Sequence, residues 1–236
     1  MDIGAVRQIL APQGVMRIAM NTGNRALVQQ EGEALHGVAP ALARRFVQEL
    51  GVKAEIQRYP GAGATVKAAD GWDLGFLAID DARRHAVTYT RAYVVIEGAV
   101  AVRRGGPITS VEQLDQPGNR ILVATGAAYD LALTRSLKHA ELKREPNPTA
   151  SFEKFLQGAA DAVAGVRQSL ERHFTPYPDI EILPEAVMEV HQAMALPLRH
   201  AAALPFVEAF LDRARADGFV REALDASGQT GLKVPA

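Results

Sequence analysis

The sequence predicts an α/β protein built from two consecutive units. Short apolar, strand-like runs alternate with amphipathic, helix-like segments along most of the 236 residues, which is the pattern of parallel sheets covered by helices. Between the two units, residues 103–116 are polar and rich in Gly, Pro and Ser, as expected of a boundary. A hydrophobic fraction of 48% and a charged fraction of 22% are those of an ordinary globular protein with a sizeable core.

The first unit alternates strands and helices up to a long β-rich run. The predicted strands are residues 15–20, 54–57 and 73–77, followed by the run that continues past Tyr93 to Val102. A helix over residues 36–50 carries apolar residues at helical spacing, and Gly51 is placed to end it. Residues 61–69 are predicted as a short helix or turn.

The second unit continues the alternation. Its predicted strands are residues 121–124, 141–144, 160–164, 180–183 and 188–196. Its predicted helices are residues 127–138, 151–156 and 166–172. Residues 201–226 form two terminal helices that are broken near Gly218.

Composition excludes several function classes. A net charge of -1 provides no field that would recruit nucleic acid or an anionic membrane, and no apolar run is long enough to span a bilayer. The absence of cysteine excludes disulfides, thiol catalysis and cysteine-ligated metals. The six histidines are scattered without ligand spacing. We therefore predict no cofactor, no metal, no nucleic-acid partner and no membrane insertion.

The amino terminus shows no basic leader followed by an apolar core and a small-residue cleavage site. Two locations remain open: periplasmic if a leader was removed, and cytoplasmic if Met1 is the natural start. An amphipathic turn directly after Met1 slightly favours the natural start.

An arginine follows the apolar strand at residues 73–77. Asp80 or Asp81 is a candidate helix N-cap, so Arg83 is predicted in the first helical turn, near the carboxyl end of the strand. Ligands of open α/β sheets bind at that edge, and a guanidinium offers a carboxylate two parallel donors. The alternative is a surface arginine that pairs with one of the two aspartates.

The segment VATGAAYDLA around Gly126 is a second candidate anion site. A buried strand passes through the glycine into a helix whose first amides belong to Ala127, Ala128 and Tyr129. These amides lack partners within the helix and carry the positive end of its dipole, so they can receive a carboxylate or phosphate. The alternative is an ordinary strand-to-helix turn in which Tyr129 caps the sheet.

Five phrases in chain order resemble the family 3 extracellular solute-binding proteins. They are VMRIAMNTGN, LHGVAPALARRFVQELGVKAEI, DLGFLAIDDARRHAVTYTRAY, GGPITSVEQLDQPGNRILVATGAAYD and GAADAVAGVRQSLE, and the resemblance covers roughly residues 14–228. It implies the type 2 periplasmic-binding-protein fold, an α/β architecture of two Rossmann-like lobes with mixed β-sheets joined by two hinge strands. The implied hinge strands lie near residues 95–102 and 190–196, and the implied lobes are residues 1–98 with 191–236, and residues 99–190.

The resemblance also implies a ligand site in the cleft between the lobes. In the family, the arginine aligned with Arg83 holds the ligand carboxylate, and the helix start aligned with Gly126 takes the same carboxylate from the other lobe. The returning hinge strand offers a further side chain to the cleft. The implied ligand-binding residues are Asn21, Asn24, Leu77, Ala78, Asp80, Arg83, Gly126, Ala127, Ala128, Tyr129, Val166, Arg167 and Gln192.

Departures from the family pattern bear on the ligand. Val166 stands where amino-acid binders of the family have an aspartate for the ligand ammonium, and burying an ammonium without a partner is costly, so a standard α-amino acid is disfavoured. Arg167 either meets a second acidic group or points to solvent. The usual aromatic shelf is replaced by residues 21–25, NTGNR, which suits hydrogen bonding better than cation stacking.

The sequence thus predicts a monomeric, non-catalytic binding protein for a small carboxylate-bearing metabolite, either amino-acid-like or an organic acid. Its expected partner is an ABC permease, or a signalling protein if the chain is a soluble sensor. The alternative is an enzyme similar to the cyclohexadienyl dehydratases, which use this fold on cyclic carboxylates. That activity needs a positioned acid or base, for which Asp80, Asp81, Glu97 and His191 are the candidates.

Overall fold

The structure is a computed structural model that describes residues 2–235, and in that range one mixed sheet of nine strands is flanked by helices and accompanied by a separate two-stranded hairpin. The strands are β1 (Val15–Asn21), β2 (Gln29–Glu31), β3 (Ala34–His36), β4 (Lys53–Tyr59), β5 (Leu74–Ala78), β6 (Val87–Arg103), β7 (Arg120–Ala124), β8 (Glu141–Glu145), β9 (Ala162–Val166), β10 (Ile180–Ile182) and β11 (Met188–Pro197).

The helices cover both faces of this sheet. They are α1 (Ile3–Leu10), α2 (Val38–Leu50), α3 (Ala62–Lys67), α4 (Ala128–Ser136), α5 (Pro148–Leu156), α6 (Arg167–Phe174), α7 (Leu204–Ala216) and α8 (Phe219–Ala226). Short 3-10 turns occur at Ala69–Gly71, Asp81–Arg83, Val111–Gln113 and Leu198–Ala203. No helix within the described residues has both the length and the apolar character needed to cross a bilayer.

The strand order is β4-β1-β5-β11-β6-β9-β7-β8, with β10 paired to β6. β1 lies parallel to β4 and β5, and β7 lies parallel to β8 and β9, so each end of the sheet is a small parallel unit. We call the unit around β1, β4 and β5 the first lobe, and the unit around β7, β8 and β9 the second lobe. β6 and β11 run antiparallel between them. The predicted α/β class with two lobes and two connecting strands is confirmed.

The strand β6 changes its partner at Gly98. It pairs with β11 from Val87 to Gly98 and with β9 from Gly98 to Val102. One continuous strand therefore carries the chain from the first lobe into the second, and β11 brings it back.

Local sequence explains most element boundaries. The helix α2 buries Leu42, Phe46 and Leu50 on one face and ends at Gly51, whose φ of 63° is the left-handed conformation that glycine adopts readily. It begins two residues later than predicted because β3 occupies the chain up to His36. The hairpin of β2 and β3 was not predicted, since its half-exposed or exposed residues show no apolar alternation.

Each lobe has its own core. In the first lobe, α2 packs against α7 through Phe46 and Phe210, whose ring centroids lie 4.8 Å apart in an edge-to-face arrangement. In the second lobe, Phe152, Phe155 and Phe174 pack together beneath one face of the sheet. The two cores meet between the lobes, where Ala128 of the second lobe joins the first-lobe cluster and Val166 packs against both.

Candidate functional site

Two pairs of parallel strands, one pair from each lobe, end at one small cavity. Asn21 is the last residue of β1 and Ala78 of β5, and from the second lobe Ala124 ends β7 and Val166 ends β9. Ligands of α/β proteins bind at such carboxyl ends of parallel strands. The lining residues are Asn21, Gly23, Asn24, Ala62, Ala78, Arg83, Ala124, Ala127, Ala128, Tyr129, Pro148, Val166, Ser169, Val190 and Gln192.

The cavity has a volume of about 40 Å³. This is well below the roughly 300 Å³ or more of most small-molecule ligand pockets.

Arg83 reaches this cavity from a turn that follows β5. The Asp80 carboxylate accepts a hydrogen bond from the Ala82 amide at 2.9 Å, which caps the 3-10 turn Asp81–Arg83. The predicted cap is therefore present, but the chain makes a 3-10 turn where an α-helix was predicted, because β6 begins only four residues later. The alternative of a surface arginine is wrong, since Arg83 is 3% exposed.

The Arg83 guanidinium joins the two lobes. Its Nη1 donates to the Ala78 carbonyl of the first lobe at 2.8 Å, and its Nη2 donates to the Gly126 carbonyl of the second lobe at 2.6 Å. Burial lowers the pKa of Arg83, yet a guanidinium remains protonated at physiological pH. Arg83 is the only charged residue among the fifteen that line the cavity. The site thus holds a buried positive charge within neutral walls.

The start of α4 forms the opposite wall. Gly126 adopts a φ of 70°, and its amide donates to the Asp130 carboxylate at 2.8 Å. The Ala127 amide donates to the Ala124 carbonyl at 3.0 Å, so it is not available as predicted. Ala128 and Tyr129 are the first two residues of the helix, where backbone amides have no acceptor within the helix. The anion site at this helix start is smaller than the sequence indicated.

Glycines allow the lobes to approach so closely. A Cβ on Gly63 would lie 2.3 Å from the Thr125 carbonyl oxygen of the second lobe, and a Cβ on Gly126 would lie 2.9 Å from the Gly63 Cα. Gly23 is confined within the first lobe, because a Cβ there would lie 2.4 Å from the Pro60 carbonyl oxygen. Side chains at positions 63 and 126 would force the two lobes apart.

Comparison with known proteins identifies the family. The family model described as bacterial extracellular solute-binding proteins, family 3, matches residues 16–226. This chain is a family 3 solute-binding protein. No curated protein sequence matches it.

Solved structures share the fold at low sequence identity. A mutant of ArgBP from T. maritima is 17% identical, with a TM-score of 0.81 over 97% of this chain and 99% of that one. The cysteine-binding protein from Campylobacter jejuni is 21% identical, with a TM-score of 0.81 over 94% and 92%. The solute receptor for L-cysteine of Neisseria gonorrhoeae is 20% identical, with a TM-score of 0.82 over 96% and 93%.

Most residues that the family resemblance implied lie together at the cavity of this solute-binding protein. Those that line it are Asn21, Asn24, Ala78, Arg83, Ala127, Ala128, Tyr129, Val166 and Gln192. Gly126 contributes its carbonyl to Arg83. Leu77 and Asp80 lie outside: Leu77 packs in a separate apolar cluster with Trp72, and the Asp80 carboxylate accepts from Arg135 at 3.2 Å.

Arg167 also lies outside the cavity, which corrects both expectations for it. Its Nε donates to the Glu97 carboxylate at 2.5 Å, and its Nη1 and Nη2 donate to the carbonyls of Leu183 and Pro184 at 3.1 and 2.9 Å. The side chain therefore neither enters the ligand cleft nor extends freely into solvent. It fastens the start of α6 to the connecting strand β6.

Ser169 is a site residue that sequence reasoning missed. It is 2% exposed, it lines the cavity, and its Oγ has no hydrogen-bond partner among the described residues. The buried Asn24 Oδ1 is in the same situation. The helical spacing of three residues from Val166 would have placed Ser169 on the same face of α6. The site therefore offers uncharged polar atoms besides Arg83.

The candidate catalytic groups are engaged elsewhere. Asp81 pairs with Arg84 at 2.7 Å on the surface, and the half-exposed His191 lies 3.5 Å from Glu189. Asp80 and Glu97 pair with arginines as described above. Among residues 2–235, no carboxylate or imidazole lines the cavity, and no group of three or more His, Asp or Glu side chains is arranged to hold a metal ion.

Proposed function

We propose that this family 3 solute-binding protein captures a small metabolite by its carboxylate in the cleft between the lobes. The observation that carries the proposal is the buried Arg83, which is the only charged residue among those that line the cavity, while the Asp80 carboxylate acts on its charge from outside the lining. A buried cation is costly unless an anion or several hydrogen bonds compensate it. A guanidinium has five donors, of which Arg83 uses two on carbonyl groups. The Tyr89 hydroxyl also interacts with the guanidinium, so at least two donors remain, which are sufficient for a bidentate carboxylate.

The walls favour an acid without a free ammonium. By the family resemblance, Val166 stands where amino-acid binders have an ammonium-binding aspartate, and the fifteen lining residues include no carboxylate. Asn24, Ser169 and Gln192 instead supply neutral hydrogen-bonding groups that suit a hydroxyl, keto or amide function. Structurally similar proteins are named as cysteine receptors. A ligand with an amino-acid-like skeleton and a modified or missing amino group is consistent with both observations.

We propose hinge closure as the mechanism, with lobes comprising residues 1–98 with 191–236, and residues 99–190. The change of strand partner at Gly98 supports this division. A ligand carboxylate that takes donors from Arg83 and from the amides of Ala128 and Tyr129 contacts both lobes at once, and such contacts favour the closed state.

The membership in an extracellular binding-protein family supports a periplasmic, non-catalytic carrier that delivers its ligand to an ABC permease, and we propose that it acts as a monomer. The placement of Asp80, Asp81, Glu97 and His191 outside the cavity supports the non-catalytic assignment.

A thermal-shift screen of amino acids, keto acids, dicarboxylates and cyclic acids tests the proposal. A ligand that binds only the folded state raises the melting temperature of the protein. The expected result is a shift by a carboxylic acid that Arg83→Ala abolishes and Arg84→Ala retains. Arg84 is a matched control because it is exposed and pairs with Asp81. An Arg83→Ala variant that binds the acid as well as the wild type contradicts the proposal.

A further inference from the structure

Two arginines differ from the others because they form no hydrogen bond or ion pair within residues 2–235. Every other arginine has a hydrogen bond or ion pair with a carboxylate or a backbone carbonyl, as in Arg44 with Leu35 and Arg120 with Asp161. Arg25 and Arg172 make neither contact with any residue in the range 2–235. Because the other arginines are paired, Arg25 and Arg172 stand out as side chains that are available to bind a ligand.

Both unpaired arginines line the same cavity, which lies between the lobes. Arg25 follows β1 in the first lobe, whereas Arg172 belongs to α6 and Asn147 and Thr149 to the start of α5 in the second lobe. The volume of this outer cavity is about 690 Å³. Gly23 lines both the outer cavity and the inner cavity at Arg83, so the two are adjacent.

The outer cavity has the electrostatics of an anion site. Its charged lining residues are Arg25, Arg172 and Glu153, which leaves one positive charge in excess. Arg25 acts electrostatically on α6 of the other lobe. Burial and the Arg25 charge both lower the pKa of His173, whereas Glu153 raises it. Two guanidinium groups contributed from facing lobes can hold one acidic group by charge-assisted hydrogen bonds.

We propose that the outer cavity binds a second acidic group of the ligand whose first carboxylate is held by Arg83. The inference rests on the proposed function, and it narrows the substrate class to compounds with two acidic groups joined by a short chain. Bound by Arg25 and Arg172, the second acidic group contacts both lobes. Its negative charge also offsets the repulsion between the two guanidinium groups when the cleft closes.

Calorimetric titration with linear dicarboxylates from malonate to suberate, each beside the monocarboxylate of equal chain length, tests this inference. We expect one dicarboxylate to bind at least roughly tenfold more tightly than its monocarboxylate, as one charge-assisted contact predicts. The double variant Arg25→Gln/Arg172→Gln should lose this advantage and leave monocarboxylate affinity unchanged. The control Arg104→Gln, which removes an exposed arginine that pairs with Glu181, should keep it.

The outcomes separate this inference from the proposed function. Monocarboxylates that bind through Arg83 without any dicarboxylate advantage overturn the second acidic group and leave the proposed function intact. A dicarboxylate advantage that survives in the double variant also overturns it. Inorganic phosphate that binds through Arg25 and Arg172, with no dicarboxylate advantage, would mean that the cavity takes a separate anion. Failure of every acid to bind the wild type contradicts both proposals.

Discussion

Gly63→Ala should weaken ligand binding while leaving the fold at least as stable as before. Gly63 lies within α3, where alanine is favoured over glycine by about 1 kcal/mol. The added Cβ, however, would lie 2.3 Å from the Thr125 carbonyl oxygen, whereas ordinary contact begins at 3.4 Å. The first lobe alone therefore tolerates the change, and the closed state does not.

The magnitude follows from the separation that the methyl group imposes. Relieving the contact requires the lobes to part by about 1 Å at Gly63, the difference between 3.4 and 2.3 Å. A displacement of that size would stretch the 2.6 Å bond from Arg83 to Gly126, and equally a ligand contact shared between the lobes, beyond hydrogen-bonding distance. One lost charge-assisted hydrogen bond costs about 1.5–3 kcal/mol, which corresponds to a roughly tenfold to hundredfold loss of affinity.

Calorimetry measures the affinity, and small-angle X-ray scattering measures the compaction that accompanies binding. The wild type should become more compact on adding the ligand identified by the screen, and Gly63→Ala should not. The matched control is Gly4→Ala in α1, where the Cβ would lie 3.2 Å from the flexible Asp2 side chain and far from the cleft. A Gly63→Ala variant that binds and compacts like the wild type would refute closure through this glycine contact.

Two further predictions concern a buried ion pair and the ligand's amino group. Burial opposes ionisation of Asp73, but hydrogen bonds from His200 and Arg17 hold its pKa well below the usual range, so its stabilisation is present above about pH 4 and declines at lower pH. Asp73→Asn should lower the free energy of unfolding in urea at pH 7 by about 2 kcal/mol, as the loss of a hydrogen bond to a charged group predicts, and its stability should fall less than that of the wild type between pH 5 and pH 2. An equal fall in both proteins would contradict this. In calorimetric competition, Val166→Asp should change the ratio of the affinities for an α-amino acid and its keto acid roughly tenfold in favour of the amino acid. An unaltered affinity ratio would contradict the interpretation that Val166 replaces an ammonium-binding aspartate.

The sequence was sufficient for features that depend on neighbouring residues. The strand predicted at residues 73–77 and found at 74–78, and the Asp80 cap, follow from an apolar run and a capping side chain, whereas the burial of Arg83 was indicated only by the family resemblance. The alternation of strands and helices was also predicted, because it depends on the local spacing of apolar residues. The hairpin β2–β3 was not, because its exposed polar residues carry no periodic signal.

Features that depend on the approach of the two lobes could not be predicted. Gly63 has a local role that any helix former would fill, and only its contact with Thr125 reveals the constraint. Arg167 stands beside a site residue in the chain, yet the turn into α6 directs it toward Glu97. Arg25 and Arg172 are 147 residues apart in the sequence and share a cavity only in the fold. Each case combines segments that lie far apart in the chain.

The most direct test of the account compares the bound acid with its carboxamide, in the wild type and in Arg83→Ala. If Arg83 holds the ligand carboxylate, replacing that group by an amide should weaken binding to the wild type at least roughly thirtyfold and have little effect on the variant, which is a coupling of about 2 kcal/mol. A coupling near zero, with acid and amide discriminated equally by both proteins, would contradict the assignment of Arg83 as the carboxylate-binding residue.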